Sequence, residues 1–369
     1  MKFTATREQI LQPLQGVIGV VERKQTMPVL ANVLITARGA GSSGRIGITG
    51  TDLEVELVAS GDAVVQSAGE VTVPGRKLLE IARALPEKCQ VTLSLEGDKV
   101  KISGGRSRFV LSSLPAAEFP VVDEIHGQQA LVVSQADLKR LIEKTHYSMA
   151  QQDVCYYLNG TLLETDGNVL RSVATDGHRL AIAETTLATK GKQMQQVIVP
   201  RKGILELQRI LGSEGDVELT IGTNHIRATI GDVRFTSKLI DGKFPEYGRV
   251  IPANPTKIVS ADRELLRQSL HRTAILSNEK YRGVRLNVGK NMLTVQAHNP
   301  EQEEAEDQVE INYQGDEVEI GFNVTYLLDA LSAVEGDSVE LGLTDSNSSC
   351  LIRSPATANV RYVIMPMRL

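Results

Sequence analysis

The residues of this chain that could perform acid–base or nucleophilic chemistry stand closest together in the stretch ATDGHRLA. Thr175, Asp176 and His178 lie within four positions there, and a hydroxyl, a carboxylate and an imidazole serve nucleophilic attack and proton transfer. Such chemistry needs these groups within hydrogen-bond reach of one another and of a bound substrate. An enzyme that uses Asp176 and His178 as acid and base is therefore one hypothesis.

The rest of the sequence contains none of the motifs that accompany common catalytic mechanisms. There is no GxSxG nucleophile elbow, no GxxxxGKS/T phosphate loop, no HExxH zinc motif and no EF-hand loop. Cys89, Cys155 and Cys350 are far apart and odd in number, which indicates neither a disulfide framework nor a CxxC metal site. We therefore expect a protein without catalytic residues, metal or cofactor.

The composition favours a multidomain protein of the cytoplasm. With 369 residues and 41% hydrophobic content, the chain can form two or three cores of ordinary size. The segment from Met1 to Gln9 is strand-like and charged, and no apolar run approaches the roughly 18 residues of a membrane span. A net charge of -5 argues against a sequence-specific DNA-binding domain, unless the basic residues are segregated on one face.

A helical pattern occurs three times along the chain with a period of about 125 residues. Its copies are LLEIARAL from Leu78, ILELQRIL from Ile204 and LLDALSAV from Leu327, which start 126 and 123 residues apart. Each copy places apolar residues at i, i+3 and i+7, which is typical of an amphipathic helix. A second helical pattern opens each unit, from Arg7, Ala136 and Arg263. The sequence therefore predicts two helices in each of three repeats.

Two short landmarks repeat with the same period. One is a turn after a strand, and its copies are Thr51-Asp52, Thr175-Asp176 and His298-Asn299. The other is an Arg followed by an aromatic residue, and its copies are Arg108-Phe109, Arg234-Phe235 and Arg361-Tyr362. Between the helices, apolar and polar residues alternate as in antiparallel strands. We therefore predict an α+β fold with repeats at residues 1–125, 126–252 and 253–369.

Tandem repeats of this kind favour a scaffold, because a catalytic site would break the symmetry at one place. If the repeats pair edge to edge, one free sheet edge remains at each end, and a head-to-tail dimer would cover both. The two ends carry opposite charge, with arginines in GGRSRFVL and glutamates in NPEQEEAE. Basic residues also gather on the predicted helices, namely Arg76, Lys77, Arg83, Lys139, Arg140, Lys144, Arg201, Lys202 and Arg209. Such a face could tolerate DNA, although each residue could equally be solvated.

Long stretches spread over all three repeats resemble the bacterial DNA polymerase III β-subunit family, the sliding clamps. They include TDLEVELVA, SRFVLSSLPAAEFP, VATDGHRLA, FTSKLIDGKFPEY, AILSNEKYRGVRL and the terminal MPMRL. The resemblance covers essentially the whole chain. It implies a homodimeric ring that encircles duplex DNA, with partners such as clamp-loader and polymerase subunits docked through short peptides.

The resemblance also implies three sets of functional residues. A partner-peptide groove is expected at Leu158, Thr175, Gly177, His178, Arg179, Leu180, Pro245, Arg249, Val250, Tyr281, Asn323, Tyr326, Ser349, Val363, Ile364, Met365, Pro366, Met367 and Arg368. DNA contacts are expected from Lys24, Arg76, Gln152, Tyr156, Tyr157, Arg201 and Lys202. For the dimer interface, Phe109 and Leu111 would pack on Ile275 and Leu276, and Arg106 and Arg108 would face Glu303 and Glu304.

Three hypotheses remain beside the DNA clamp. They are the acid–base enzyme, a protein-only repeat scaffold and, with least support, a sequence-specific DNA reader, for which no recognition-helix module is apparent. The family also varies at some of these positions. Tyr281 is often Phe in the family, and Asn347 occupies a groove position that can be apolar, so the detailed geometry there is open.

Overall fold

The computed structural model describes residues 1–22, 27–122, 125, 129–188 and 194–368. Six α-helices of ten to twelve residues occur in these ranges, two in each sequence repeat, as predicted. They are α1 Arg7–Val17, α2 Gly75–Ala84, α3 Gln135–Thr145, α4 Arg201–Ile210, α5 Arg263–Ala274 and α6 Val324–Ala333. None of the helices in the described ranges has the length and apolar character needed to cross a bilayer.

Apart from short 3-10 helices, the remaining regular structure is antiparallel β-sheet, as the alternating pattern predicted. The strands, β1 to β24 in chain order, are Lys2–Thr6, Asn32–Arg38, Gly41–Thr51, Val55–Ser67, Gly69–Pro74, Gln90–Glu96, Lys99–Gly104, Ser107–Ser112, Gln129–Ser134, Gly160–Asp166, Val169–Thr175, Arg179–Thr186, Gln195–Pro200, Asp216–Ile221, His225–Ile230, Val233–Lys238, Lys257–Asp262, Gly283–Gly289, Met292–His298, Glu304–Asn312, Val318–Asn323, Ser338–Leu343, Cys350–Ser354 and Thr357–Ile364.

The first compact unit contains residues 1–136 and 202–239. Its sheet runs in the order β8-β7-β6-β1-β4-β16-β15-β14-β9, and β3, β2 and β5 extend it from β4. Strands of the first and second repeats meet in the β4–β16 pair, where Leu57 lies opposite Phe235. The first and second repeats therefore pair edge to edge here, which the head-to-tail dimer hypothesis took as its condition.

The second compact unit contains residues 137–201 and 240–369. Its sheet runs in the order β13-β10-β11-β12-β24-β23-β22-β17-β20-β19-β18-β21. Strands of the second and third repeats meet in the β12–β24 pair, where Ile182 lies opposite Arg361. The strands of the second repeat are thus shared between the two units. The repeat boundaries near residues 125 and 252 do not coincide with the limits of these units and remain predictions.

The helices pack through the apolar stripes that the sequence predicted. Leu78, Ile204 and Leu327, the first residue of each repeated pattern, are at most 2% exposed. Burying a Leu or Ile side chain contributes about 1.5–3 kcal/mol to folding, so each stripe holds its helix on the core. At its first turn α1 also has a capping box, in which the Thr6 and Gln9 side chains each accept the other residue's backbone N–H.

Candidate functional site

The residues considered as catalytic form a turn between β11 and β12. The Thr175 hydroxyl donates to the carbonyl of Arg179 at 2.6 Å, and Asp176 Oδ1 accepts from the amides of His178 and Arg179 at 2.9 and 3.1 Å. Gly177 at the tip has a φ of 87°, a conformation that glycine adopts without strain. The hydroxyl and the carboxylate therefore hold the turn together, and His178 contributes its backbone to it.

The same turn occurs in the first repeat, which argues against a catalytic role. The Thr51 hydroxyl donates to the carbonyl of Val55 at 2.9 Å, and Asp52 Oδ1 accepts from the amides of Glu54 and Val55 at 2.9 and 2.7 Å. Bonds that recur one repeat away belong to the repeat's local structure. The geometry thus gives no support to an enzyme that uses Asp176 and His178.

Beside the Thr175–Arg179 turn lies a cavity of about 170 Å³, here named the groove cavity. Nine residues predicted for the peptide groove line it, namely Leu158, Thr175, Gly177, Arg179, Leu180, Pro245, Val250, Val363 and Met365. Three further lining residues, Tyr157, Glu246 and Tyr247, were absent from that prediction. Residues from the second and third sequence repeats therefore meet at one concave site.

The floor of the groove cavity belongs to a hydrophobic core cluster. Leu180 and Val363 are 4% and 2% exposed and pack in that cluster with Leu162, Ile182 and Phe244. Val250 and Met365, in contrast, are 52% and 50% exposed. An apolar pocket with a fixed floor and an adaptable Met at its rim suits the side chains of a short apolar segment.

The Tyr247 side chain forms a wall of the cavity, and a buried carboxylate anchors it. Its hydroxyl donates to Glu164 Oε1 at 2.7 Å, and Glu164 is only 2% exposed. The same carboxylate accepts from Arg171 Nη1 at 2.8 Å and Gln196 Nε2 at 2.5 Å, while Arg171 Nε donates to Glu184 at 2.7 Å. A buried charge is stable only with such partners.

The ionisation of this network follows from the same contacts. Burial and the bond to Glu164 raise the pKa of Tyr247 to about 12, so its hydroxyl remains a donor. Burial acts to raise the pKa of Glu164, but the hydrogen bonds from Tyr247, Gln196 and Arg171 outweigh it and lower that pKa. Glu164 is therefore a carboxylate that accepts all three bonds.

Arg179 lies in another wall of the groove cavity, and several contacts hold it there. Its Nε donates to Asp176 Oδ2 at 3.0 Å, its Nη1 to Asp329 at 2.6 Å and its Nη2 to the carbonyl of Tyr147 at 2.7 Å. The guanidinium also lies over the Tyr326 ring at 4.4 Å. Because two carboxylates neutralise it, Arg179 ties the β11–β12 turn to α6 and is not a free cation.

The residues Met365 to Arg368, here named the C-terminal run, link the groove cavity to a second cavity. The amide of Met365 donates to the carbonyl of His178 at 3.0 Å, and the amide of Met367 donates to the carbonyl of Gly321 at 2.9 Å. Met365 lines the groove cavity. A cavity of about 370 Å³, here named the rim cavity, is lined by Asn278, Tyr281, Gly283, His298, Asn299, Pro300, Met367 and Arg368. Tyr281, Met367 and Arg368 from the groove prediction therefore lie there.

The remaining seven residues of the groove prediction line neither cavity. They are His178, Arg249, Asn323, Tyr326, Ser349, Ile364 and Pro366. Asn323 caps α6 by accepting from the amide of Thr325 at 2.9 Å, and Ile364 is 1% exposed within β24. Arg249 forms an ion pair with Glu246 at 2.7 Å. Whether these residues contact a partner stays a prediction.

Two of the predicted DNA contacts in the first unit have partners within the protein. Arg76 Nη2 donates to the carbonyl of Val21 at 2.7 Å. The ammonium of Lys202 forms ion pairs with Glu22 and with Asp52, the latter at 2.5 Å. A DNA phosphate would have to compete with these two carboxylates for Lys202.

The other predicted DNA contacts vary in exposure. Lys24 lies outside the described residues. Gln152 is exposed with a φ of 55°, Tyr156 is 58% exposed, and Arg201 is partly buried. Tyr157 lines the groove cavity, so it has a structural role there that does not depend on DNA.

The proposed basic helix face is also partly neutralised. Arg140 donates to both oxygens of Glu335, at 2.8 and 2.9 Å, and Lys144 lies 3.3 Å from the same carboxylate. Lys144 also donates to the carbonyl of Ala333 at 2.6 Å. These two cations therefore join α3 to the end of α6.

The residues predicted for dimerisation lie at two incompletely paired strands. In the first unit, β8 pairs only with β7 among the described strands. Its arginine Arg108 and the neighbouring Arg106 are exposed, while Phe109 and Leu111 are partly buried. This is an open sheet edge with a basic and apolar character.

In the second unit, β20 has a free side along its first part. It pairs with β19 from Glu304 to Glu310, but among the described strands it meets β17 only through Ile311 and Asn312. Glu303 and Glu304 are exposed there. Ile275, which follows α5, is 74% exposed, and Leu276 is partly buried. This second edge is acidic with apolar residues.

Comparisons with known proteins agree along the whole chain. Residues 1–123, 132–246 and 248–368 match the N-terminal, central and C-terminal domains of the DNA polymerase III beta subunit family. The beta sliding clamps of Pseudomonas aeruginosa and Escherichia coli strain K12 are 52% and 50% identical, and each comparison covers 100% of both chains.

Solved structures show the same likeness. A DnaN sliding clamp from Pseudomonas aeruginosa bound to griselimycin has a TM-score of 0.96 and 52% identity, and a DNA polymerase sliding clamp from Caulobacter crescentus has a TM-score of 0.94 and 39% identity. Both comparisons cover 100% of both chains.

Fold and site together define a non-catalytic, three-repeat α+β protein of the DNA-clamp class, with a concave apolar site on its second unit. The chain belongs to the DNA polymerase III β-subunit family, the sliding clamps of bacterial DNA replication. It is therefore a processivity subunit and not an enzyme.

The structure adds groove residues that the sequence reasoning missed. Glu246 and Tyr247 follow the predicted Pro245 directly within the segment FPEY, so including the whole segment in the groove prediction would have added them. Glu164 carried a clearer signal, because a carboxylate within the apolar strand sequence GTLLETD needs a partner if that strand is buried. The sequence of the strand does not show that one partner of Glu164 is Tyr247 in the groove wall.

Proposed function

We propose that two copies of this chain join head to tail into a closed ring around duplex DNA. Two features support the proposal, namely the open basic edge at β8 and the open acidic edge at β20, each with apolar residues nearby. Strands that pair across these edges would satisfy the free backbone groups, and opposite charges would set the register. Because each chain offers one edge of each kind, copies can join head to tail into a closed ring, and the family resemblance implies two copies.

We propose further that the groove cavity and the rim cavity together bind short segments of clamp-loader and polymerase subunits. The observation that carries this is the convergence of nine predicted groove residues on one apolar cavity. A polymerase bound there stays near the primer end, so each rebinding step becomes a local event at high effective concentration. Griselimycin is proposed to occupy the same site, since a relative's solved structure contains it.

DNA is proposed to be retained mainly by encirclement. Lys202 is paired with two carboxylates of the protein, so a phosphate contact there is weak, and weak contacts allow sliding. The seven predicted DNA residues would touch the backbone without reading sequence. The ATP that loading requires would be used by the loader. We place this activity in the cytoplasm.

The test is retention on DNA of defined topology. The full chain is loaded onto nicked circular DNA by a clamp loader with ATP, and the DNA is then cut once with a restriction enzyme. We expect the protein to remain on the circle and to leave the linear form through its ends. Gel filtration of the DNA before and after cutting measures both fractions.

The alternatives give different results. Equal retention on circular and linear DNA would mean contact binding, and the ring proposal would be rejected. No retention on either form, with a loader that is competent on a known clamp, would favour the protein-only scaffold.

A further inference from the structure

A second cavity with the same construction lies in the first unit. Its volume is about 490 Å³, and it is here named the N-terminal cavity. It is bounded by the turn residues Thr51 and Leu53, the segment Pro120–Val122, and His225 and Lys238. The family resemblance assigned no residue of this cavity to a function.

The N-terminal cavity is the repeat-related counterpart of the groove cavity. Its residues Thr51, Leu53, Pro120, Val122, Ile125 and Lys238 precede groove residues Thr175, Gly177, Pro245, Tyr247, Val250 and Met365 by 124, 124, 125, 125, 125 and 127 positions. The spacing is that of the repeat itself. Both cavities are therefore made by the same structural positions, one period apart.

Backbone contacts confirm this correspondence. The amide of Lys238 donates to the carbonyl of Glu54 at 2.9 Å, as the amide of Met365 does to that of His178 at 3.0 Å. A buried carboxylate also anchors one wall in each case. The amide of Val122 donates to Glu56 at 2.8 Å, and Glu56 is 2% exposed like Glu164. The wall of the N-terminal cavity is thus held in place.

The chemistry of the two cavities differs at defined positions. Lys238 replaces the rim methionine, and it forms no ion pair within the described part of the chain. Of the described residues that line the cavity, none carries a carboxylate. Burial, Lys238 and Arg227 lower the pKa of His225, so its imidazole is neutral at pH 7 and Lys238 supplies the positive charge. The apolar contribution comes from Leu53, Val121 and Ile125.

We infer that the N-terminal cavity is a second partner site of this chain, for a short apolar peptide segment whose carboxylate lies against Lys238. The choice of a peptide rests on the function proposed for the groove cavity. The preference for a carboxylate rests independently on the ammonium of Lys238 at the rim of the cavity. An exposed ion pair contributes at most about 1 kcal/mol, which corresponds to a preference of about fivefold over an uncharged end.

The experiment uses the full chain with labelled histidines and two probes. They are acetyl-Leu-Leu-Phe with a free C-terminal carboxylate and the same peptide as its amide, titrated to millimolar concentration. The NMR signal of His225, assigned with His225→Gln, reports on the N-terminal cavity. The signal of His178 reports on the groove cavity from beside it, because Thr175, Gly177 and Arg179 of the same turn line that cavity. We expect both signals to shift, and the carboxylate form to bind about fivefold more tightly than the amide at His225 only.

Two substitutions copy the groove's own residues into the N-terminal cavity. Lys238→Met should remove the preference for the carboxylate. Leu53→Gly should weaken binding of both probes at the N-terminal cavity, because it removes part of the apolar lining. The variant should fold, because Leu53 has a φ of 76°, which glycine adopts more easily. Val250→Glu, at a 52% exposed residue, should remove the His178 response alone.

A His225 signal that stays unchanged while His178 shifts would overturn the inference and leave the groove proposal standing. A carboxylate preference that survives Lys238→Met would also overturn it. The reverse pattern, with His225 shifting and His178 unchanged, would support the second site and contradict the groove. No shift at either signal would overturn both.

Discussion

Glu164 does not line the groove cavity, yet it holds Tyr247, which does. The carboxylate is buried, and its three hydrogen-bond donors come from β11, β13 and the segment after Phe244. Removing one donor leaves part of a buried charge without a partner, which costs more than an average hydrogen bond. At the scale of the residue, the position of Tyr247 in the cavity wall therefore depends on the buried Glu164 carboxylate.

Tyr247→Phe tests this dependence because it keeps the ring and removes only the hydroxyl. We expect the free energy of unfolding to fall by about 1–3 kcal/mol, since the Glu164 carboxylate loses a donor. The proposed binding of griselimycin at the groove cavity should become several-fold weaker, because the wall is less well positioned. Urea denaturation and calorimetric titration measure the two effects.

The matched control is Tyr156→Phe, which alters an exposed tyrosine next to Tyr157. It should change neither quantity. Unaltered stability and affinity in Tyr247→Phe would show that the bond to Glu164 does not position the wall.

At the scale of the element, β24 and the residues after it have separate roles. Val363 and Ile364 are 2% and 1% exposed and pair with β12 and β23, so they belong to the core. Met365, Met367 and Arg368 follow the strand and line the two cavities. A deletion that tests partner binding must therefore begin after Ile364.

Deleting Met365–Leu369 should reduce griselimycin affinity at least about tenfold, because one rim of both cavities is lost while the apolar floor remains. The sheet should keep its stability to within about 1 kcal/mol, since only backbone bonds at Met365 and Met367 are removed. Titration calorimetry and thermal unfolding separate these effects. A truncated protein that folds and keeps its griselimycin affinity would refute the role of these C-terminal residues in binding.

The contact between α3 and α6 has a pH dependence with a defined sign. The hydrogen bond from Arg140, partly opposed by burial and aided by Lys144, lowers the pKa of Glu335 from 4.5. Its contribution to stability is therefore fully present above pH 4.5 and is lost as the pH falls through the lowered value.

Glu335→Gln should destabilise the protein at pH 7 by at most about 1 kcal/mol, because the carboxylate is a third exposed and screened by solvent. The difference from the unsubstituted chain should shrink as the pH is lowered below 4.5. Urea denaturation at several pH values measures this difference in the free energy of unfolding. The control is Glu310→Gln, which alters an exposed residue of β20. A constant difference at all pH values would contradict the assignment.

At the scale of the whole molecule, the proposed assembly uses residues that a single chain leaves exposed. Ile275 is 74% exposed beside the free part of β20, although burying such a side chain contributes about 1.5–3 kcal/mol. An exposed apolar residue next to an open sheet edge is typical of an interface.

Ile275→Ala with Leu276→Ala should convert the dimer into monomers, because both apolar anchors of one edge are removed. Sedimentation equilibrium measures the mass, which should fall by half at micromolar concentration. Val154→Ala is the control, since Val154 is 93% exposed and lies far along the chain from both edges. An unchanged dimer mass in the double variant would remove Ile275 and Leu276 from the interface.

The sequence by itself determined the repeat, the six helices and the antiparallel strands, because these follow from local periodicity. The stripes at Leu78, Ile204 and Leu327 are buried as their spacing required. Edge-to-edge pairing was only a condition of the ring hypothesis, and the β4–β16 and β12–β24 pairs in the structure supplied it. Nine of the residues that the family resemblance implied for the groove line one cavity, and their role in binding stays a prediction.

Only the tertiary structure decided which charges are free and which are bound. Arg140, Arg179 and Lys202 look alike in the sequence as cations near helices or turns, yet each is neutralised by carboxylates far away in the chain. The support of Tyr247 by Glu164 joins residues 83 positions apart. Such contacts depend on distances of about 3 Å between segments that the chain brings together only on folding, and local sequence patterns contain no information on those distances.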